Sequence, residues 1–333
     1  MTSLSKIAAS LAAAFLATAT PTEATSASSN EGSFERTLQV SGPVDLEVST
    51  GSGSIRVHAG SSGVVRVEGR IRASSRLFDW DSAEDRIRRL EQNPPVEQTG
   101  NAVRIGWLRE EDLRRNISIS YDIWTPEASS VRARTGSGSL TIEGVEGPVD
   151  ARTGSGSIRA ARVEKTLDVA AGSGSIDVLE VRGNVKARTG SGSIRIDDAR
   201  DGLTVSTGSG TIDVANVSGA IYVDTGSGGI RARRVRGSFD AHASSGGITV
   251  DGEPTGDWRL RSSSGGITVR IPDESAFDLK CRTSSGSVHT DFPITMQGTI
   301  RRKQIEGRVR GGGALLEATS SSGSIRILSR SGS

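Results

Sequence analysis

The side chains that most often carry out catalysis are few in this chain and lie far apart. The three histidines are His58, His242 and His289, and the single cysteine is Cys281. A Ser-His-Asp arrangement or a zinc site needs several such side chains brought together, and no spacing here predicts that. The histidines are therefore predicted to be exposed surface residues, and no catalytic, metal-binding or cofactor-binding residue is predicted.

Paired carboxylates offer an alternative, because glycoside hydrolysis uses two of them around the bond that breaks. The nearest candidates are Asp197 and Asp198 with Asp201, and Asp150 stacked on Asp168. Such pairs also arise by chance on a charged surface. A polysaccharide-active β-helix enzyme is thus kept as an alternative to a non-enzymatic protein.

The glycine-rich motif TGSGSI, at residues 153–158 and 189–194, fits none of the known glycine-rich binding loops. A P-loop has Lys-Ser/Thr after its glycines, and a dinucleotide-binding fingerprint is followed by a long helix. The calcium-binding β-roll repeat has an aspartate after its glycines. The motif lacks all three features, so no cofactor is predicted.

Two arginine-rich runs are candidate contact points for a partner, RARRVR at 231–236 and RRKQIEGRVR at 301–310. Arg231, Arg233 and Arg234 could hold an anionic polymer, although such runs are usually solvated flanks of strands. Trp107 is a further candidate, since aromatic side chains are common in binding surfaces. A formal net charge of +2 does not indicate nucleic-acid binding. The predicted partner is an unidentified polymer or protein of the cell envelope.

The glycine-rich motif recurs every 18 residues, with copies that begin at Thr135, Thr153, Ala171, Thr189, Thr207, Thr225 and Ala243. In each unit the sixth and eighth residues are apolar, as are the fifteenth and seventeenth. This alternation indicates strands with one buried face, and strands so short must stack coil on coil. The chain is predicted to be all-β: a single-stranded parallel β-solenoid of β-helix type, with coils of about 18 residues and a small α/β N-terminal cap.

Two sets of residues are predicted to mark the stacking of the coils. Glycine permits a tight corner, and the predicted corner glycines are Gly138, Gly156, Gly174, Gly192, Gly210, Gly228 and Gly246. Small Thr and Ser side chains at the corners are expected to form hydroxyl ladders. The outward seventh position alternates in charge, which predicts a ladder with unlike charges on neighbouring coils: Arg159, Asp177, Arg195, Asp213 and Arg231.

The first residues predict export. Lys6 precedes a short apolar run, and Ala19 or Ala27 would end a cleavage site. Residues 1–27 are therefore predicted to be a signal peptide and flexible start.

The rest of the chain divides into three predicted parts. Residues 32–72 form the first strands and coil, 73–125 a capping insertion, and 126–330 the solenoid repeats. Within the insertion, DSAEDRIRRLEQNPP predicts a helix capped by Asp81 or Ser82, and VEQTGNAVRIGW predicts a hairpin. Cys281 alternates with apolar residues in FDLKCR and is predicted to face the core.

Several passages carry a family resemblance: VSGPVDLEVSTGSGSIRVHA, YDIWTPEASSVRARTGSGSLTIEGVEGPV and the serial TGSGSI coils. They resemble the bacterial putative-adhesin β-solenoid family over roughly residues 35–328. The resemblance implies the solenoid fold and an adhesin-like role, and it carries over no catalytic residues. This chain departs from the family in its longer insertion at 73–115.

The sequence thus predicts an exported, non-enzymatic repeat protein that acts as an interaction or scaffold module at the cell envelope. Its predicted location is the periplasm or the cell surface, with no transmembrane span in the mature chain. It is expected to be a monomer or an end-to-end oligomer. A polymer-forming structural protein is the second alternative, and exposed complementary end coils would favour it.

Overall fold

The computed structural model describes residues 30–74, 80–108, 110, 113, 116–295 and 303–330. The predicted signal peptide, residues 1–27, lies outside the described residues. No helix in the described ranges is long and apolar enough to cross a bilayer. The described chain is mostly β-strand, with one α-helix, α1 (Trp80–Gln92).

The strands, in chain order, are β1 (Glu31–Gln39), β2 (Val44–Ser52), β3 (Ile55–Gly60), β4 (Val64–Ala73), β5 (Val96–Thr99), β6 (Ala102–Ile105), β7 (Ile117–Pro126), β8 (Ser129–Ser137), β9 (Leu140–Val145), β10 (Val149–Ser155), β11 (Ile158–Val163), β12 (Leu167–Ser173), β13 (Ile176–Val181), β14 (Val185–Ser191), β15 (Ile194–Ala199), β16 (Leu203–Ser209), β17 (Ile212–Val217), β18 (Ala220–Ser227), β19 (Ile230–Arg236), β20 (Ser238–Ala243), β21 (Ile248–Glu253), β22 (Trp258–Ser262), β23 (Ile267–Pro272), β24 (Phe277–Thr283), β25 (Val288–Thr290), β26 (Gln304–Val309), β27 (Ala314–Ser320) and β28 (Ile325–Arg330).

These strands form two 14-stranded sheets that face each other across the core. Sheet A has the order β1-β4-β7-β3-β9-β11-β13-β15-β17-β19-β21-β23-β28-β25. Sheet B has the order β26-β24-β27-β22-β20-β18-β16-β14-β12-β10-β8-β2-β6-β5. Each central coil contributes one strand to each sheet.

The 18-residue repeat sets equivalent residues side by side in parallel register. In sheet A, Ile158 lies beside Ile176, and Ile176 beside Ile194. In sheet B, Val149 lies beside Leu167. All five side chains are buried, and burial of one such side chain contributes about 1.5–3 kcal/mol. The predicted all-β parallel solenoid is confirmed.

The terminal coils do not stack in sequence order. At the N-terminal end, the β2–β3 coil lies between the later β6–β7 coil and the β8–β9 coil. At the C-terminal end, the β27–β28 coil lies between the β22–β23 and β24–β25 coils. Of the four edge strands, β5 and β25 have only four and three residues, whereas β1 and β26 have nine and six. Short edges such as β5 and β25 limit pairing with another chain.

Antiparallel strands and the helix cover the N-terminal coil. β1 pairs with β4, and β4 pairs with β7. β5 and β6 form the predicted hairpin, and α1 buries Ala83, Ile87 and Leu90. The predicted N-cap at Asp81 or Ser82 is wrong, because the helix begins at Trp80 and includes both residues. Acidic residues are also favoured within the first helical turn, where they face the positive end of the helix dipole.

The first corner of most central coils combines the glycine motif with a buried threonine. The Thr153 hydroxyl donates to the Gly138 carbonyl oxygen at 3.0 Å, and Thr189 donates to that of Gly174 at 2.9 Å. Each bond joins one coil to the preceding coil. The expected hydroxyl ladder is therefore wrong, because these threonine hydroxyls donate to backbone carbonyl oxygens and not to one another. A buried carbonyl needs a donor, and the threonine hydroxyl supplies one.

The second corner has a left-handed backbone at the tenth residue of successive units. The φ angles are 53° at Arg162, 56° at Glu180, 58° at Asp198, 53° at Asn216 and 51° at Arg234. For residues other than glycine this conformation costs about 1–2 kcal/mol. The corner sets these polar side chains in one column along the edge of the solenoid.

Ala171 interrupts the threonine column and gives a stability prediction. It lies between Thr153 and Thr189 in sheet B and is 7% exposed. Ala171→Thr is expected to raise the free energy of unfolding by about 1 kcal/mol, because the new hydroxyl can donate to Gly156. Ala171→Val, which has the same shape without the hydroxyl, is the control. Equal stabilisation of both variants in urea denaturation would contradict the hydrogen-bond account.

Candidate functional site

The candidate binding residues fall into two separate places. Arg231, Arg233 and Arg234 lie on β19, whereas Trp107 lies between β6 and β7. In sheet A, β19 is seven strands away from β7, which is about 30 Å at the usual strand spacing. Trp107 and the arginines therefore do not form one site.

Arg231 and Arg233 lie close to carboxylates. Arg233 lies 3.0 Å from the carboxylate of Asp213. Arg231 lies in register beside Asp213 and Thr249 in sheet A. Of the three candidates on β19, Arg233 is thus neutralised by Asp213, while Arg231 is only its neighbour in register.

The five residues of the predicted ladder lie side by side in sheet A in the predicted order. No two of them form an ion pair within the described part of the chain. Arg159 instead lies 3.8 Å from Glu143, and Asp213 pairs with Arg233. The alternation keeps like charges apart on neighbouring strands, where they would be destabilising.

Arg234 belongs to a concave surface at the second corner, which we call the basic groove. Its volume is about 350 Å³. The charged and amide side chains that line it are Arg200, Arg234, Arg236, Arg330, Asp198, Asn216 and Glu253. Four guanidinium groups therefore face two carboxylates, and the groove carries a net positive charge.

Pairing within the basic groove is uneven. Arg200 makes two bonds of 2.9 Å to Asp198, whereas Arg236 lies 3.8 Å from Glu253. Arg234 donates to the neutral amide of Asn216. Arg330 donates to Asp251 at 2.6 Å. Arg234 and Arg236 are consequently the two cations with the weakest neutralisation, and the Arg236 side chain is 74% exposed.

Asp198 is a poor general acid. The hydrogen bond from Arg200 holds the pKa of Asp198 below its usual value, so Asp198 is ionised at neutral pH. A glycosidase acid requires the opposite shift. Asp197 accepts a hydrogen bond from Asn216. Asp150, which lies on β10 in sheet B, pairs with Arg152 at 2.9 Å.

The histidines lie on separate parts of the molecule. His58 stacks on Trp124 with ring centroids 6.0 Å apart, His242 lies 2.8 Å from Asp224, and His289 lies 3.1 Å from Asp291. No group of three or more His, Cys, Asp or Glu side chains in the described ranges could hold a metal ion.

Some groove residues were missed by the sequence argument. Arg200 and Arg236 are 36 residues apart, which is two repeat units, so the repeat could have placed them in one column. Arg330 gives no such signal, because its position depends on the insertion of β28 beside β23. From the second arginine-rich run, Arg301 and Arg302 lie outside the described residues.

Cys281 faces the core as predicted and is fully buried. Burial raises the pKa of its thiol to about 12. The thiolate is the reactive form, and such a shift lowers its fraction at pH 8 about a thousandfold. Native protein is therefore expected to resist iodoacetamide at pH 8, while protein in guanidinium chloride reacts fully. Rapid labelling of the native protein, read by mass spectrometry, would contradict this.

Comparisons with known proteins identify a family for most of the chain. Residues 112–218 and 183–328 match the family model described as Toastrack DUF4097. Comparison with curated proteins finds no match. Among solved structures, a putative cell adhesion protein from Clostridium sporogenes matches with 10% identity, over 90% of this chain and 100% of that chain, with a TM-score of 0.22. A TM-score this low supports no conclusion about function.

The two family matches together span residues 112–328, about two thirds of the 333 residues. They include the basic groove up to Glu253 and the central coils, but they exclude α1 and the first six strands. The chain belongs to the Toastrack DUF4097 family.

Proposed function

We propose that the chain is an exported, non-enzymatic module that holds an anionic polymer of the cell envelope along its basic groove. The observation that carries the proposal is the excess of guanidinium groups over carboxylates in that groove. Arginine presents a planar set of donors that matches carboxylate and phosphate oxygens. A polymer with repeated anionic groups could contact several of these arginines at once.

The backbone of the solenoid supports this role by fixing the spacing of the arginines. Arg234 and Arg236 are on one strand, and Arg200 is two coils away on the same edge. Neighbouring coils are about 4.8 Å apart, so the groove offers cations at fixed intervals. Because the backbone is already ordered, binding loses little affinity to ordering of the protein.

The non-enzymatic part of the proposal rests on the chemistry of the groove carboxylates. Asp198 is held ionised by Arg200. Glu253 lies near the rim beside the guanidinium of Arg236. Asp198 therefore lacks the raised pKa that proton donation to a glycosidic oxygen needs.

The test is binding of polygalacturonate, polyphosphate and neutral dextran to the purified chain from Ser28, measured by biolayer interferometry at two salt concentrations. At least one anionic polymer is expected to bind, with affinity that falls as salt rises. Dextran is expected not to bind. The two anionic polymers distinguish a carboxylate ligand from a phosphate ligand.

A pair of double variants localises the binding. Arg234→Ala/Arg236→Ala is expected to weaken binding about tenfold, which corresponds to about 1.4 kcal/mol. Arg134→Ala/Arg188→Ala removes the same charge from the outer face of sheet B and is expected to change binding less than about twofold. Equal weakening by both variants, or no polymer binding, would overturn the proposal. Light scattering on the same samples would reveal filaments if the polymer-forming alternative holds.

A further inference from the structure

A second concave site lies in the cap, about seven strands away from the basic groove. The coil formed by β6 and β7 ends the parallel stack, and a pocket of about 370 Å³ lies at its corner. We call it the cap pocket. The side chains that define its chemistry are Thr50, Trp107, Leu108, Ile117, Ile119 and Tyr121.

The buried hydroxyl of Tyr121 is the unusual group in this pocket. Tyr121 is 1% exposed, and its hydroxyl has no hydrogen-bond partner in the described structure. The ring is held by an edge-to-face contact with Phe34, with centroids 6.3 Å apart. A buried polar group without a partner is costly and rare in folded proteins. Its presence at the wall of a cavity indicates a position where a ligand atom would satisfy it.

Gly106 lies against this hydroxyl. Its φ angle is 90°, and a Cβ built there would stand 3.2 Å from the Tyr121 hydroxyl and 1.7 Å from the carbonyl oxygen of Ser49. No side chain other than hydrogen fits at this position without movement of the backbone. The main chain therefore covers the hydroxyl, and both Gly106 and Tyr121 line the pocket.

The lining determines the class of ligand. Leu108, Ile117 and Ile119 form apolar walls, and Trp107 is 40% exposed. No charged side chain lines the pocket among the described residues. The hydroxyl proton of Thr50 is already directed to the carbonyl oxygens of Ser52 and Ile119. Among the described residues, this lining offers a sugar few polar partners and an anion no cation.

We propose that the cap pocket binds a small, neutral, largely apolar ring compound. Its ring would lie against the indole of Trp107. Its single oxygen would accept a hydrogen bond from Tyr121 after a small shift of the Gly106 main chain that covers the hydroxyl. The volume is within the range of small-molecule sites. This ligand is separate from the anionic polymer proposed above, so either proposal can fail alone.

The experiment compares two probes of similar shape by ligand-observed NMR titration of the purified chain. Acetophenone has an oxygen that can accept the hydrogen bond, and isopropylbenzene has none. Acetophenone is expected to bind saturably and about tenfold more tightly, as expected for one buried hydrogen bond. Methyl glucoside is expected not to bind. Absence of saturable acetophenone binding, or tighter binding of the glucoside, would overturn the proposal.

Three variants test which side chains bind the probes. Tyr121→Phe is expected to abolish the preference for acetophenone while raising Tm by about 2 °C, since it removes an unpaired buried hydroxyl. Trp107→Ala is expected to weaken both probes. Tyr222→Phe removes an exposed hydroxyl on sheet B and is expected to change neither binding nor Tm. Retention of the full preference in Tyr121→Phe would show that the hydroxyl does not contact the ligand.

Discussion

Replacement of Gly174 by alanine is expected to lower the free energy of unfolding by about 3–5 kcal/mol. The φ angle of Gly174 is 152°, a backbone conformation that residues other than glycine rarely adopt. A Cβ there would lie 2.0 Å from the carbonyl oxygen of Gly156 and 2.6 Å from its carbonyl carbon. Both atoms belong to the backbone of the preceding coil.

The structure has no simple way to relieve this clash. The Gly174 amide donates to the Ser191 carbonyl at 2.9 Å, and the Thr189 hydroxyl donates to the Gly174 carbonyl at 2.9 Å. Movement of Gly174 away from Gly156 would therefore disturb the next coil. Because the strands on either side are paired in parallel register, the corner cannot shift independently of the sheet.

Gly51→Ala is a control in the first copy of the motif, at its second residue rather than its fourth. A Cβ on Gly51 meets no atom within 4 Å, and its substitution is expected to change stability by less than about 0.5 kcal/mol. Both variants should be measured by urea denaturation followed by circular dichroism. Similar losses in the two variants would show that the inter-coil contact is not the cause.

The central coils could be predicted from sequence because their contacts repeat. Ile158, Ile176 and Ile194 occupy one column, and each lies 18 residues from the next. The pairing partner of a residue is therefore another copy of the same residue type. A repeat with a fixed period thus predicts the core, the register and the position of the glycine corners.

The ends of the solenoid could not be predicted in this way. β7 lies beside β3 although more than 50 residues separate them, and no periodic signal marks that pairing. Trp258 shows the same limit. The structure buries it against Phe239 with ring centroids 6.0 Å apart, and its indole donates to Gly237 at 3.0 Å.

The candidate sites were predictable only in part. Arg234 stood out because it belongs to a run of arginines, and Trp107 because aromatic residues are scarce here. Tyr121 gave no signal, since it occupies an ordinary inward position of an alternating strand. Its unpaired hydroxyl depends on the close approach of Gly106, which comes from a different segment of the chain.

The stacking of coils also predicts the effect of deletions. Deletion of residues 171–188 removes one complete unit and joins Ala170 to Thr189, which keeps every inward position inward. Stability in a stacked repeat is roughly a sum over units and their interfaces. This 18-residue deletion is therefore expected to fold cooperatively with a modest loss of stability.

Deletion of residues 171–189 removes one residue more and is expected to have the largest effect. Gly190 would then follow Ala170 and occupy the buried threonine column, and the next residues would exchange their inward and outward directions. A β-bulge cannot restore the pairing, because a bulge accommodates an extra residue and this variant lacks one. We expect this variant to misfold, or to melt at least about 10 °C below the 171–188 deletion, in circular dichroism. Equal melting temperatures would show that the register is not fixed by the repeat.

A deletion of two units, residues 171–206, tests how much the alternating charges contribute to the stability of the stacked coils. Loss of one unit places Arg159 beside Arg195, whereas loss of two places Arg159 beside Asp213. Like charges on neighbouring strands destabilise a sheet by about 0.2–1 kcal/mol per pair, and salt screens the effect. Added salt is therefore expected to raise the melting temperature of the one-unit deletion more than that of the two-unit deletion. An equal salt response would show that the alternating column does not contribute to the stacking of the coils.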